Sequence, residues 1–265
     1  MSVESLLKKE SYNCDDLREI MEILRGEGGC PWDREQDHKS IRNNFIEEVY
    51  EFIEGVDTDD NAIMKEELGD VLLQVVFHAR ISEEAGDFNL DDVADGICKK
   101  LILRHPHIFS DVQADNSDQV LANWDRIKKE TKQQKTFTDT LTAVPASLPA
   151  LMRAEKVQKR AARAGMDFAS ASDVAEKLLE EAAELKEAIS SGESEAVAEE
   201  LGDLFFAACN LARFTGNDSE EVLTHATEKC IRRFQRVEEL ADKQPDKLSP
   251  QQLDLLWEQA KNEGV

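Results

Sequence analysis

Two stretches of this chain repeat one another in their acids. From Glu180 to Asp203 the sequence reads E-E-A-A-E, a short gap, then E-E-L-G-D, and the same spacing occurs 133 positions earlier. Glu47, Glu48 and Glu51 fall in register with Glu180, Glu181 and Glu184, and Glu67 and Asp70 with Glu200 and Asp203. The match runs on through Ala79-Arg80 and Ala212-Arg213. Residues three apart share one face of a helix. Ser190, Ser191 and Gly192 read as a turn, and two helices joined by so short a connection run antiparallel and in contact. Their carboxylates then converge, and converging carboxylates repel unless a cation sits among them. A hard divalent cation is the economical filler, because it takes oxygen ligands. The duplication predicts two helical units of about 100 residues each.

A run such as E-E-x-x-E also suits a solvated helix face. The residues after each acid argue otherwise. Asp70 is followed by Val71, Leu72, Leu73, Val75, Val76 and Phe77, and Asp203 by Leu204, Phe205, Phe206, Ala207, Ala208 and Cys209. Helices apolar over most of their circumference are expected to be buried, and acids at the head of a buried helix need a partner.

At 265 residues the chain is long enough for two cores. Gly and Pro are scarce and helix formers dominate, which predicts an all-α protein. The net charge of -24 argues against nucleic-acid backbones and anionic membrane surfaces as partners. A small phosphorylated ligand stays compatible with it, since a bound cation inverts the local sign. The five cysteines include no C-x-x-C pair, so they form no disulfide framework. With no apolar leader and no long apolar run, the expectation is a soluble cytoplasmic protein.

In chain order, residues 15–25 have helical spacing, and Gly26, Gly28 and Gly29 end that helix. Trp32 and Asp33 read as a packing knot, with a pocket wall as the alternative. Ser40 is the expected N-cap of the helix through Phe45 and Phe52, Asp57 to Asn61 the turn, and Asn61 to Glu84 the second helix of the pair. Asp91 to Arg104 forms a third helix, stopped by Pro106; His105 and His107 read as structural. Ser117 caps a polar helix to about Lys135. Residues 136–150, rich in Thr and Pro, read as a linker between an N-terminal repeat, 1–135, and a C-terminal repeat, 151–265. The second repeat opens with a basic segment, Leu151 to Arg163, either a solvated face or a surface that pairs with acids of another subunit. Ser172 is its expected cap for the Glu180 helix, and Asp218 with Glu221 a capping box for the helix that follows.

The third helix of each repeat ends on a cationic pair four apart, Lys100 with Arg104 and Lys229 with Arg233. A helix dipole favours cations at that end; a Lys-Arg stripe also grips phosphate oxygens. Trp257, on a short final helix, is either a core anchor or a platform for a base. The chain has no P-loop, no dinucleotide fingerprint and no E-x-x-H motif of di-iron bundles. Acids for Mg2+, cations for phosphate and a stacking Trp together suggest hydrolysis of a nucleotide polyphosphate, with Glu180 or Glu47 orienting the attacking water. A non-catalytic nucleotide-binding regulatory module is the alternative.

G-C-P-W-D at Gly29 to Asp33, E-E-V-Y-E and E-E-L-G-D within Glu47 to Asp70, R-H-P-H at Arg104 to His107, S-L-P-A-L-M-R-A at Ser147 to Ala154, and the second acid set together resemble the bacterial MazG nucleoside triphosphate pyrophosphohydrolases. The resemblance covers most of the chain. It implies tandem all-α bundles, a homodimer, and cleavage of NTP to NMP and pyrophosphate with Mg2+, for which Mn2+ can substitute. Carried over by position, the metal ligands are Glu181, Glu184, Glu200 and Asp203, matched in the first repeat by Glu48, Glu51, Glu67 and Asp70. Nucleotide contacts fall on Lys128, Lys229, Arg233 and Trp257. Met166-Asp167-Phe168 departs from the aromatic pair that family members tend to carry around this Asp.

Overall fold

The computed structural model describes residues 3–110, 116, 119–120, 123–124, 127, 131, 135–242 and 244–265, and every regular element among them is helical. The chain divides into two compact units, 1–128 and 129–265.

The first unit contains α1 (Val3–Leu6), α2 (Cys14–Arg25), α3 (Pro31–Glu35), α4 (Arg42–Asp57), α5 (Asn61–Ala85), α6 (Leu90–Arg104) and α7 (Pro106–Phe109). Side chains fix the starts of the long helices. Asn13 and Asn89 form capping boxes with Asp16 and Asp92, and Asp60 accepts from the amides of Ala62 and Ile63. Each such cap is worth about 1 kcal/mol. α4 and α5 form a tight antiparallel pair, and Gly55 makes their approach feasible. A Cβ there would lie 2.9 Å from the Met64 backbone nitrogen. The core gathers Met21, Ile41, Val76 and Phe77, with Leu17, Leu73, Ile81 and Leu90 against it.

The second unit contains α8 (Phe137–Thr142), α9 (Ala150–Arg163), α10 (Ala171–Ser191), α11 (Ser194–Phe214), α12 (Ser219–Leu240), a 3-10 turn (Pro245–Lys247) and α13 (Pro250–Asn262). α10 and α11 repeat the hairpin, closed by Gly192 in the left-handed conformation at φ 76°. α9 packs across α11, and α13 on α12. Buried Glu155 of α9 accepts from the amide and hydroxyl of Ser219, so it caps α12 from a neighbouring helix.

Several expectations need correction. Ser40 does not cap α4: its amide and hydroxyl are engaged with Asp37 in a turn of their own, and Ile41 is the N-cap residue. α10 begins before Ser172, because Ser170 reaches the Asp173 amide first. Within the stretch expected as a linker, Thr136 and Asp139 make a capping box that starts α8. That helix packs on α9, where Arg160 donates to the Thr140 carbonyl. Trp32 is 58% exposed rather than a packing knot. Leu68 and Leu72 of α5, and Leu201, Phe205 and Phe206 of α11, are exposed. The hairpins are therefore apolar on faces that their own units leave open. Ser117 and Lys128 lie outside the described residues.

Candidate functional site

Each hairpin brings carboxylates from both of its helices together. In the first unit, Glu48 of α4 meets Glu67 and Asp70 of α5, with one oxygen of each within 4.8 Å of the others. In the second, Glu181 and Glu184 of α10 meet Glu200 of α11 within the same limit. The i,i+3 spacing presents two acids from one helix, and the antiparallel pairing adds the rest. Glu51 stands close enough to both Glu48 and Glu67 to disfavour their ionised forms. Asp203 lines a small cavity beside Glu181.

The electrostatics of these clusters are those of crowded anions. Burial, then the charges of Asp70, Glu51 and Glu47, raises the Glu48 pKa above the usual carboxylate range. Burial, then Glu51, Asp70 and Glu48, does the same for Glu67, whose Oε2 is buried without a hydrogen-bond partner. Burial, then Glu181 and Glu200, raises Glu184. Crowding of this kind, with a buried oxygen left unpaired, fits a site for a cation. Carboxylate oxygens without imidazole or thiolate suit a hard divalent ion rather than zinc.

The two clusters differ in one neighbour. Lys177 Nζ lies 2.8 Å from Glu180 Oε1 and 2.7 Å from Glu181 Oε1, and these acids raise its pKa further. In register, Asn44 holds that place in the first unit. Sequence reading passed over Lys177; its signal was a cation four residues before a candidate ligand in one repeat and not the other.

The other expected site residues are spread over both units. Glu180 is exposed and paired with Lys177, and Glu47 is exposed. Lys229 is exposed on α12, while Arg233 Nε donates to the Val265 carbonyl at 2.6 Å. Trp257 is half-buried on α13. Lys100 is exposed, and the Arg104 guanidinium lies 5.9 Å from the Trp124 ring centroid. His105 Nδ1 donates to the Leu101 carbonyl and the ring packs edge-on against Trp124, a structural role for that imidazole.

Behind the second cluster lies a pair of which sequence reading used Arg213 only as a register mark and Asp167 only as a motif position. Arg213 of α11 grips Asp167 through both terminal nitrogens and bonds Asn210 as well. The Arg213 guanidinium holds the Asp167 carboxyl below its usual range. In the first unit Arg80 pairs instead with Glu83 and Glu84 on its own helix. A cavity of about 170 Å³ touches Phe168, Lys177, Glu181, Asp203, Phe206 and Asn210.

Comparison with known proteins agrees with this architecture. A family model described as the MazG nucleotide pyrophosphohydrolase domain matches twice, over residues 36–109 and 170–238. The nucleoside triphosphate pyrophosphohydrolase/pyrophosphatase MazG of Thermotoga maritima is 42% identical over 258 residues, covering 96% of this chain and 98% of that protein. The nucleoside triphosphate pyrophosphohydrolase of Escherichia coli K12 is 41% identical over 257 residues, 95% of this chain and 98% of its own. An uncharacterized Bacillus subtilis protein, YabN, is 45% identical over 249 residues, which is 92% of this chain and 51% of YabN. Two copies of the domain, each built on a hairpin of converging acids, identify the chain as a member of the MazG nucleotide pyrophosphohydrolase family.

Proposed function

We propose that this chain hydrolyses nucleoside triphosphates, ribo or deoxy, to the monophosphate and pyrophosphate, in control of the nucleotide pool. The observation that carries the reading is the convergence of Glu181, Glu184 and Glu200 within 4.8 Å inside a matched domain. Bound Mg2+, or Mn2+ in its place, would supply positive charge against the phosphate oxygens. Glu181, Glu184, Glu200 and Asp203 would hold it in the second unit, and Glu48, Glu51, Glu67 and Asp70 in the first. Glu180, or Glu47, is the proposed group that orients the attacking water and accepts its proton. Lys229, Arg233 and Trp257 are the proposed nucleotide contacts, together with Lys128; Lys100 and Arg104 are their counterparts in the first unit. With Nε engaged by Val265, Arg233 keeps its terminal nitrogens for phosphate.

A homodimer belongs to the same proposal. Apolar faces such as that of Leu201, Phe205 and Phe206 are large for a lone soluble chain, and a second copy covers them by symmetry. A cytoplasmic setting and the lack of a nucleic-acid or membrane partner are further parts of it, supported by the net charge of -24. Among the described residues no helix is long and apolar enough to cross a membrane.

The test is product analysis. Incubated with mixed nucleoside triphosphates and Mg2+, the protein is expected to yield monophosphate and pyrophosphate. Diphosphate with orthophosphate would refute the cleavage position. Light scattering of the purified protein tests the dimer, and a monomer mass would refute that part alone.

A further inference from the structure

We infer that the second unit carries a nucleobase pocket between α9 and α11, in which Gln158 and Asn210 read the base. The inference rests on the pyrophosphohydrolase reading and adds to it the part of the substrate that no carboxylate or cation addresses.

The pocket is a cavity of about 420 Å³, within the range of small-molecule sites. Val157, Ala161, Phe168 and Phe206 supply apolar and aromatic wall. It shares Phe168, Phe206 and Asn210 with the smaller cavity that reaches Lys177, Glu181 and Asp203. Asn210 lies seven residues beyond Asp203 on α11, about 10 Å along the axis. A ligand with a flat apolar end and an anionic end therefore fits with the former between α9 and α11 and the latter toward the acids.

Two buried amides supply the polar recognition. Gln158 is 6% exposed, and its Nε2 donates to the Phe206 carbonyl at 2.7 Å. That bond fixes the amide's orientation and leaves Oε1, which is buried with no hydrogen-bond partner. A buried acceptor without a partner is unfavourable, and a ligand N–H at the cavity wall relieves it. Asn210 is 9% exposed. Its Oδ1 accepts from Arg213 Nε at 2.9 Å and Nη2 at 2.7 Å, and Arg213 is held in turn by Asp167. This chain orients the second amide so that its nitrogen is the end that remains to donate. One acceptor and one donor beside aromatic rings match the edge of a nucleobase, where a donor adjoins an acceptor on a flat ring.

The first unit gives the contrast. Phe77 stands in register with Asn210. It is 4% exposed, packed with Met21 and Val76, and the Arg25 guanidinium lies 5.2 Å from its ring centroid. The acids are duplicated, whereas the amide that would read a base is replaced by a core side chain.

The experiment compares wild type with Gln158→Met, Asn210→Leu and Ala161→Phe on ATP, GTP, CTP and UTP. Gln158→Met and Asn210→Leu are expected to change the ratio of kcat/KM between at least two bases by tenfold or more. Ala161→Phe, which fills the cavity and replaces neither amide, is expected to raise KM for every nucleotide at least tenfold with Mn2+ binding retained. Mn2+ binding also checks that each variant is folded. A wild type that splits these nucleotides while the variants keep all ratios within twofold overturns the pocket. So does a shift in base preference produced by Trp257→Ala and by none of the three. A wild type that splits none of them refutes the pyrophosphohydrolase reading instead, and the pocket is then judged on binding. Thermal protection by nucleoside monophosphates, lost in Ala161→Phe, supports it, and no protection overturns it.

Discussion

Lys177 Nζ sits 2.7 Å from Glu181 Oε1, so one of the second cluster's acids is already neutralised from within its own helix. A divalent ion entering that cluster competes with an ammonium group, and the first cluster has Asn44 in that place. Replacing Lys177 by Met is expected to tighten Mn2+ binding at the second site several-fold in the absence of nucleotide, a modest effect because the pair is partly open to solvent. Titration calorimetry reads this directly. Unchanged or weaker Mn2+ binding would mean that the lysine does not compete for the site.

Removing ligands is expected to separate the two units. Glu200→Ala and Asp203→Ala should lower triphosphate hydrolysis more than about 100-fold with the fold retained, as loss of groups that position a metal does. Glu67→Ala is expected to leave most activity, because the position matching Asn210 is filled by Phe77 in the first unit. Initial rates and circular dichroism on the three variants are sufficient. Equal losses from Glu67→Ala and Glu200→Ala would assign activity to both units.

The acids were legible because a three-residue period names a helix face without any tertiary knowledge, and the hairpins followed from the short turns between them. The cap Asp218 stands out for the same local reason. What covers an apolar face is not local. Val71 to Phe77 and Leu204 to Cys209 read as buried, yet Leu72, Phe205 and Phe206 are open within their unit. The amide pair was hidden for a related reason. Gln158 and Asn210 are brought to one cavity only by the crossing of α9 on α11, and neither has a sequence neighbour that marks it. Thr136 and Asp139 did carry a capping signal, but the surrounding Thr and Pro residues favoured a linker reading.

Crowded acids predict a sign for stability. Glu48 has a folded-state pKa above its unfolded value, so its ionised form destabilises the metal-free protein. Stability associated with it is greatest at low pH and falls as pH rises from the unfolded value through the folded one. At pH 7 Glu48→Gln is therefore expected to raise the metal-free melting temperature by about 1 °C, a few tenths of a kcal/mol for so open a group. With saturating Mg2+ the order is expected to reverse, because only the wild type retains the full set of proposed ligands. Melting curves with chelator and with Mg2+ test both halves.

A second pH effect has the opposite sign. His38 and His78 stack with ring centroids 5.1 Å apart and their Nδ1 atoms 2.8 Å apart, while Ser82 Oγ is 3.2 Å from His38 Nε2. Burial, then the neighbouring imidazole, lowers the His78 pKa. Its neutral form is favoured in the folded state, so the stabilisation is complete above the unfolded value of 6.5 and declines as pH falls below it through the folded value. Two protonated rings would also set N–H against N–H. The wild type is expected to lose melting temperature steadily below pH 6.5, and His78→Phe to flatten that slope. A His78→Phe slope parallel to wild type would rule out the pair as its source.

The α4–α5 hairpin depends on a position that admits no side chain. A Cβ at Gly55 would meet the Met64 backbone nitrogen at 2.9 Å and Ile63 Cγ2 at 3.0 Å, and backbone cannot rotate away as a side-chain tip can. Gly55→Ala is expected to push the helices apart at the cost of about 1–3 kcal/mol, loosening the contact between Glu48 on one and Glu67 and Asp70 on the other. At Gly96 of α6 a methyl group would meet no atom within 4 Å. There alanine gains helix propensity and should stabilise by about 0.5–1 kcal/mol. Urea unfolding of the two variants gives the comparison. If Gly55→Ala were as stable as Gly96→Ala, helix contact at that glycine would not be what brings the first set of acids together.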